Sequence, residues 1–466
     1  WDTGFLAASA DLPCPGPVRC PVGGGCAGAA HGTAGDGGGM AGDRGGRAAN
    51  HGGLAGDHGG MAGDAGCTGP EDSSERSVLR GDLYLPARGD PTLGEPFYDS
   101  YTEALQALAD SLRAVGIREV AGDLVVDVSA WDSASVPSTW MVGNVSSRFG
   151  ASGGAFAVGA GELEIVVRGG ELPGDPSLVK WRPLGREGFV KNLVTTGEPE
   201  EGPRVRAAFL PESRTWVVDG SLPPGDSLTL TRAARDPVRL GVEALAHALE
   251  EGGITVRGEA RIVWEPDEAV GEGCFSAKLA QCASLVRVVG LRSPPLIEVT
   301  RAIMGPSQNW MTEQLVRTLG SELGEEGSWT EGHRIMLEHL TEVMGVDSLD
   351  LHLRDGSGLS AYNLLTPRAV IAVLEQARQR SWGAAYRDAL PTPGREDTTL
   401  ERRLEGMEGR VFAKTGTISH VNGLSGTLVA DDGREILFSI LTNGSNLPAG
   451  EVRDAMDRVV RELARP

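Results

Sequence analysis

Positive charge is scarce in this 466-residue chain: 43 Lys and Arg stand against 64 Asp and Glu, a formal net charge of −21. Phosphate backbones are held by clustered Lys and Arg, which the sequence lacks, so a nucleic-acid partner is excluded. Also missing is any apolar run long enough to cross a bilayer. The chain opens on Trp1 without the basic segment and apolar run of a signal peptide. Either a leader has been removed or the sequence starts inside its gene.

Cysteine is nearly absent after residue 67. Cys14, Cys20, Cys26 and Cys67 crowd the N-terminal region, and only Cys274 and Cys282 follow. The first three do not keep the two-to-four-residue spacing of a zinc site, so no metal or other cofactor is implied. Cys274 and Cys282 have two readings, a disulfide in an oxidising compartment or two buried thiols.

What is abundant is glycine, 67 residues, and much of the excess lies between Leu12 and Ser77. There Gly38-Gly39-Met40-Ala41-Gly42-Asp43-Arg44 recurs imperfectly with a seven-residue period. Too few large side chains accompany it to offset the entropy of ordering, and the period does not match a calcium-binding nonapeptide array. The reading is a low-complexity segment over 1–77, disordered or translated out of frame. His31, His51 and His58 on that repeat are read as incidental.

From Val78 the sequence becomes patterned. Val78 to Leu85 alternates like a strand, and Ser100 is placed to cap a helix carrying Leu105, Leu108, Leu112 and Val115, with Gly116 ending it. A second such unit opens at Asp236-Pro237, carries Val238, Val242, Leu245 and Leu249, and ends at Gly253-Ile254. Their equal spacing marks residues 78–272 as one or two α/β or α+β modules.

Past Ala277 the pattern turns helical. Ser293-Pro294 is expected to open one helix up to the Gly305-Pro306 break, and a second follows with Trp310, Met311, Leu315 and Leu319. Ser307-Gln308-Asn309 lies between the two. Near the C-terminus a strand over Arg410 to Ala413 leads into Lys414-Thr415-Gly416-Thr417. A hairpin across Asp431-Asp432-Gly433 follows, then a helix with Val452, Met456, Val459 and Leu463 on one face.

A Ser-x-Asn held between helices and a Lys-Thr-Gly on a strand about a hundred residues later are two of the three motifs of serine acyl-transferring, penicillin-recognising enzymes. With them go Asp355-Gly356-Ser357-Gly358-Leu359-Ser360, Gly81-Asp82-Leu83, Gly89-Asp90-Pro91-Thr92-Leu93, Gly122-Asp123-Leu124 and Phe149-Gly150-Ala151. In these motifs, and in their order, the chain from about Val78 to its end resembles the D-alanyl-D-alanine carboxypeptidase/endopeptidase family, the class C low-molecular-mass penicillin-binding proteins.

That resemblance implies an α+β fold: a penicillin-binding catalytic domain at 273–466, an antiparallel sheet covered by helices, with 78–272 as an inserted region. It implies Ser307 as the group passing a proton toward the leaving amine and Asn309 as the amide holding the acyl part of the substrate. Lys414 would supply positive charge, Thr415 and Gly416 would shape the strand, and Thr417 would offer its hydroxyl to a terminal carboxylate and its N–H to the oxyanion. The implied partners are peptidoglycan stem peptides and β-lactams, met in the periplasm or elsewhere in the cell envelope, with no metal. Oligomeric state is left open.

The third motif, the nucleophilic Ser-x-x-Lys, is not where the family carries it, since the Gly repeat occupies that place. The chain's one Ser-x-x-Lys, Ser177-Leu178-Val179-Lys180, falls in the inserted region and is read as chance. Two functions stay open: a serine carboxypeptidase/endopeptidase whose nucleophile is unknown, and a non-catalytic relative that binds envelope glycopeptide or a protein partner.

Overall fold

A computed structural model describes residues 1–12, 77–100, 102–151, 153–183, 190–271, 274–276, 279 and 282–466. The expected low-complexity repeat therefore lies outside the described residues. The first residues of that segment nonetheless form a strand, β1 (Asp2–Ala8), with Phe5 and Ala7 fully buried and a register shift between Phe5 and Leu6.

β1 lies between β2 and the edge strand β5 in a five-stranded sheet of order β4-β3-β2-β1-β5, where β2 is Leu83–Pro86, β3 Leu124–Asp127, β4 Ala260–Val263 and β5 Leu285–Arg292. β2, β3 and β4 run parallel, and β1 is antiparallel to both β2 and β5. Strand geometry sends alternate side chains to opposite faces. Leu83, Leu85, Leu124 and Val126 thus meet helices α1 (Glu103–Ala114) and α2 (Pro237–Glu251), while Tyr84, Val125 and Val263 pack on the other face with Leu279 and the disulfide-bonded pair Cys274–Cys282. Each large apolar side chain buried this way contributes roughly 2 kcal/mol.

The two helix-strand units are real. Gly116 and Gly253 both take positive φ after their helices, and the strands they feed pair side by side, Thr255 opposite Glu119. Several expected boundaries move. α1 begins at Glu103 with Thr102 at its cap position rather than Ser100, and the stretch from Val78 to Leu85 divides into Val78–Leu79 and β2. The strand β5, which feeds the helical region, was not anticipated; its eight residues lack the strict alternation of a half-buried strand because most are partly exposed on both faces.

Between β3 and α2 the chain builds two three-stranded sheets around Leu163, Ile165, Val167, Trp216 and Val218. Leu178 to Lys180 lie in one of these strands, and the Ser177 hydroxyl donates to the Val194 carbonyl at 2.9 Å.

The helical part holds α3 (Leu296–Met304), α4 (Asn309–Leu323) and α5 (Trp329–Glu338). α3 starts after Pro295, not at Ser293, because the Ser293 N–H donates instead to the Trp1 carbonyl at the end of β1. The last sheet is antiparallel, in the order β6 (Val411–Ile418), β7 (Val421–Val429), β8 (Glu435–Thr442). α6 (Ala449–Leu463) covers one face through Val452, Met456 and Val460. Val459 and Leu463, expected inside, are 47% and 40% exposed, since a four-residue step from Met456 brings Val460 inward and rotates them out.

Candidate active site

The Ser-x-Asn corner is built by the end of α3. The Gln308 N–H donates to the Ile303 carbonyl at 2.9 Å, wrapping the chain over the last turn, and Ser307 is left at φ +64. A non-glycine residue held there is strained and needs surrounding structure to keep it. That structure is the apolar cluster of Val299 and Ile303 from α3 with Trp310 and Met311 from α4. The Gln308 side chain caps α4 by accepting from the Trp310 N–H.

β6 carries the second motif. All of Lys414 to Thr417 lies within the strand, which runs further than the expected Arg410 to Ala413. Close pairing with β7 requires Gly426, where a Cβ would sit 2.1 Å from the Phe412 carbonyl oxygen. Ala413 donates from the outer edge of β6 to the Pro391 carbonyl. Beyond it, that edge has no strand partner among the described residues, and Gly416 opens onto free space.

Lys414 and Ser307, 107 residues apart, meet here: Lys414 Nζ donates to Ser307 Oγ at 2.6 Å and to the Thr415 carbonyl at 2.6 Å. Burial pulls the Lys414 ammonium down to about 8. The Thr417 hydroxyl, on the exposed end of the strand, donates to Asn422 Oδ1 at 3.3 Å. Asn309 is turned toward another segment: its Nδ2 donates to the Phe149 carbonyl at 2.8 Å.

Beneath this corner lies a buried polar layer. Glu313, one turn after Asn309, has no exposed surface and accepts from Trp329 Nε1 at 2.7 Å and from the Gly356 and Ser357 N–H groups at 3.0 and 2.8 Å. Burial, with the Asp355 carboxylate nearby, pushes its carboxyl up. Asp355 in turn accepts from Gly358 and Ser360 N–H, from Asn363 Nδ2 and from Trp140 Nε1. The expected Gly-rich loop thus stands on α4.

Sequence, fold and site converge on one family. A model of the D-Ala-D-Ala carboxypeptidase 3 (S13) family matches residues 70–463. The chain belongs to that family. It is 33% identical over 401 residues to the D-alanyl-D-alanine carboxypeptidase of Actinomadura sp. (strain R39), covering 82% of this chain and 70% of the relative. Similarity to the D-alanyl-D-alanine carboxypeptidase DacB of Haemophilus influenzae is 22% identity over 372 residues, 78% of this chain and 72% of that one. The crystal structure of penicillin binding protein 4 from Haemophilus influenzae has the same fold, with a TM-score of 0.68 at 20% identity, covering 84% of this chain and 83% of that one.

The S13 chain described here is accordingly of the penicillin-binding α+β fold and of the serine D-Ala-D-Ala carboxypeptidase class. Among the described residues, no helix is long and apolar enough to cross a membrane. The fold brings the sequence-predicted Ser307 and Lys414 together and leaves Asn309 at the start of α4 beside them. The supports Phe149 and Trp140 were not legible in the sequence: one acts through a backbone carbonyl, which side-chain patterns cannot reveal, and the other through a partner 215 residues away.

Proposed function

We propose that the corner formed by Ser307, Asn309 and the edge of β6 binds the D-alanyl-D-alanine end of peptidoglycan stem peptides, and β-lactams, in the cell envelope. The carrying observation is the 2.6 Å contact of Lys414 Nζ with Ser307 Oγ. It puts a cation and a hydroxyl beside the unpaired edge of a strand, where an extended peptide adds as a further strand and its carboxylate meets positive potential. Ser307 passes a proton toward the leaving amine, and Asn309, its amide oriented by the Phe149 carbonyl, holds the acyl part. Thr415 and Gly416 shape the edge. Thr417 offers its hydroxyl to the terminal carboxylate and its N–H to the oxyanion.

The reaction of this class runs through an acyl-serine. The chain's one Ser-x-x-Lys supports a second reading, binding without turnover, because its Ser177 hydroxyl is buried and donates to Val194 within a strand of the inserted region. Incubation of the purified chain with a fluorescent penicillin separates the two. Covalent label that survives denaturing electrophoresis establishes acyl transfer, whereas reversible binding without label establishes the second reading. No binding of any kind sinks both.

A further inference from the structure

An acyl-serine needs a nucleophilic hydroxyl in contact with a base, and the corner at Ser307 holds such a pair. Ser307 Oγ and Lys414 Nζ are 2.6 Å apart, within the reach of a nucleophile and its general base. Other hydroxyls on the same sheet and loops have partners that are not bases. Ser425 and Ser439 bond to each other at 2.9 Å, Thr417 donates to Asn422 Oδ1, and Ser360 donates to Thr139 Oγ1.

Lys414 is suited to take a proton. A lysine acts as a base only when neutral, a state favoured by burial without a carboxylate beside it. Among the described residues Lys414 forms no ion pair: it meets Ser307, the Thr415 carbonyl and, opposite it on β7, Ser425. Burial brings its ammonium down to about 8, so part of it is free amine near neutral pH.

The backbone presents the hydroxyl to the strand edge. Ser307 is half-buried at φ +64, and a serine held on such a strained turn has its Oγ directed clear of its own chain. Lys414 Nζ also donates to the Thr415 carbonyl at 2.6 Å, so the Ser307 hydroxyl lies two hydrogen bonds from the edge of β6. Alternate residues of an antiparallel strand turn their N–H groups to the same side. Thr415 and Thr417 therefore share the outer edge with Ala413, whose N–H donates to Pro391, and their own N–H groups serve a peptide laid there and the oxyanion formed from its carbonyl.

We infer that Ser307 is the nucleophile of this chain, with Lys414 as its general base. The inference rests on the peptide-binding reading of this corner. Ser307 Oγ adds to the carbonyl carbon of the scissile D-alanyl bond while its proton passes to the Lys414 amine. The C–N bond then breaks, the leaving amine takes that proton from Lys414, and an ester of Ser307 remains. Water cleaves the ester, giving a proton to Lys414, which returns it to Ser307 Oγ. Lys414 is thus neutral before the attack and cationic when the oxyanion forms, so its charge stabilises the transition state rather than the bound peptide alone. With a β-lactam the ring C–N bond breaks in the same way, and the amine stays joined to the acyl group.

The test is to incubate the full chain with penicillin, digest it with trypsin and locate the adduct by tandem mass spectrometry. The tryptic peptide Ala302 to Arg317 has Ser307 as its one serine. A penicilloyl group on Ser307 is expected, and at saturating penicillin its rate of formation rises as pH passes through about 8. Lys414→Met lowers that rate about a hundredfold or more, and Ser307→Gly, which suits positive φ and so keeps the corner, removes the label. An adduct on any other residue overturns the inference while acyl transfer stands. Reversible binding of a labelled peptide ending in D-alanyl-D-alanine, with no covalent label from penicillin, overturns it and leaves the peptide-binding reading in place; loss of both removes that reading too. Should Lys414→Met fail to fold by circular dichroism, the wild-type profile decides: a rate at saturation that is flat or falls between pH 7 and 9 overturns the role of Lys414.

Discussion

Trp140 Nε1 donates to Asp355 Oδ2 at 2.8 Å, across 215 residues of sequence, in the loop that Glu313 supports beneath the Ser307 corner. Nearby, the Ser360 hydroxyl donates to Thr139 Oγ1 at 2.8 Å. The segment carrying Thr139, Trp140 and Phe149 is therefore fastened to the candidate site, where Asn309 reaches the Phe149 carbonyl.

Replacing Trp140 by Phe keeps most of the ring and removes the donor. Hydrogen bonds to charged groups are worth about 1.5–3 kcal/mol, so a loss of that size is expected in urea denaturation. Amide exchange at Gly358 and Ser360 should rise with it; unchanged exchange there would show that Asp355 does not depend on Trp140.

Arg317 is fully buried, with its guanidinium carbon 4.4 Å from the Trp131 ring centre and 4.5 Å from that of Trp329. It donates to the carbonyls of Gly327, Ala134 and Asp132. Arg317→Met strands those carbonyls and the Asp132 carboxylate together. Loss of one partner from such a buried network costs about 3–5 kcal/mol. An unfolding free energy from chemical denaturation within about 1 kcal/mol of wild type would contradict this account.

Lys414 supplies the positive charge of the proposed peptide site. Lys414→Ala is expected to weaken reversible binding of a peptide ending in D-alanyl-D-alanine by about tenfold or more, on the scale of a charge-assisted hydrogen bond. Ser307→Ala should have a smaller effect on binding, since a neutral hydroxyl is removed. Fluorescence anisotropy with a labelled peptide reads both.

The pH dependence has a definite sign. With Lys414 lowered to about 8 in the folded protein, its ammonium is present at pH 7 and lost as pH rises through that value. Peptide affinity should fall between pH 7 and 9 in wild type and stay flat in Lys414→Ala. For stability the same shift acts oppositely: burying the charged form is a cost below pH 8, and the cost is relieved as pH rises toward the ordinary lysine range, where the unfolded chain still holds the proton.

The motifs were legible because local chemistry specifies them. Gly305-Pro306 ends α3 and throws Ser307 out, and the alternation before Lys414 is that of a strand. Helix ends were less legible, as at Ser293, whose N–H is drawn to Trp1, 292 residues away in sequence. β5 and the role of β1 were not readable, because a strand is defined by partners that lie far away in sequence.

By itself the sequence determined the family, the pair of motifs, the helix-strand repeat ending at Gly116 and Gly253, and the want of a Ser-x-x-Lys beside them. Periodicity, turn residues and motif spacing are properties of neighbours along the chain. Only the tertiary structure decided that Cys274 and Cys282 pair, that Lys414 reaches Ser307 while Asn309 bonds the Phe149 carbonyl, and that Ser177 is a buried hydroxyl within a β-sheet region. Those outcomes depend on distances between residues that folding alone brings together, and on the burial that sets the Lys414 charge.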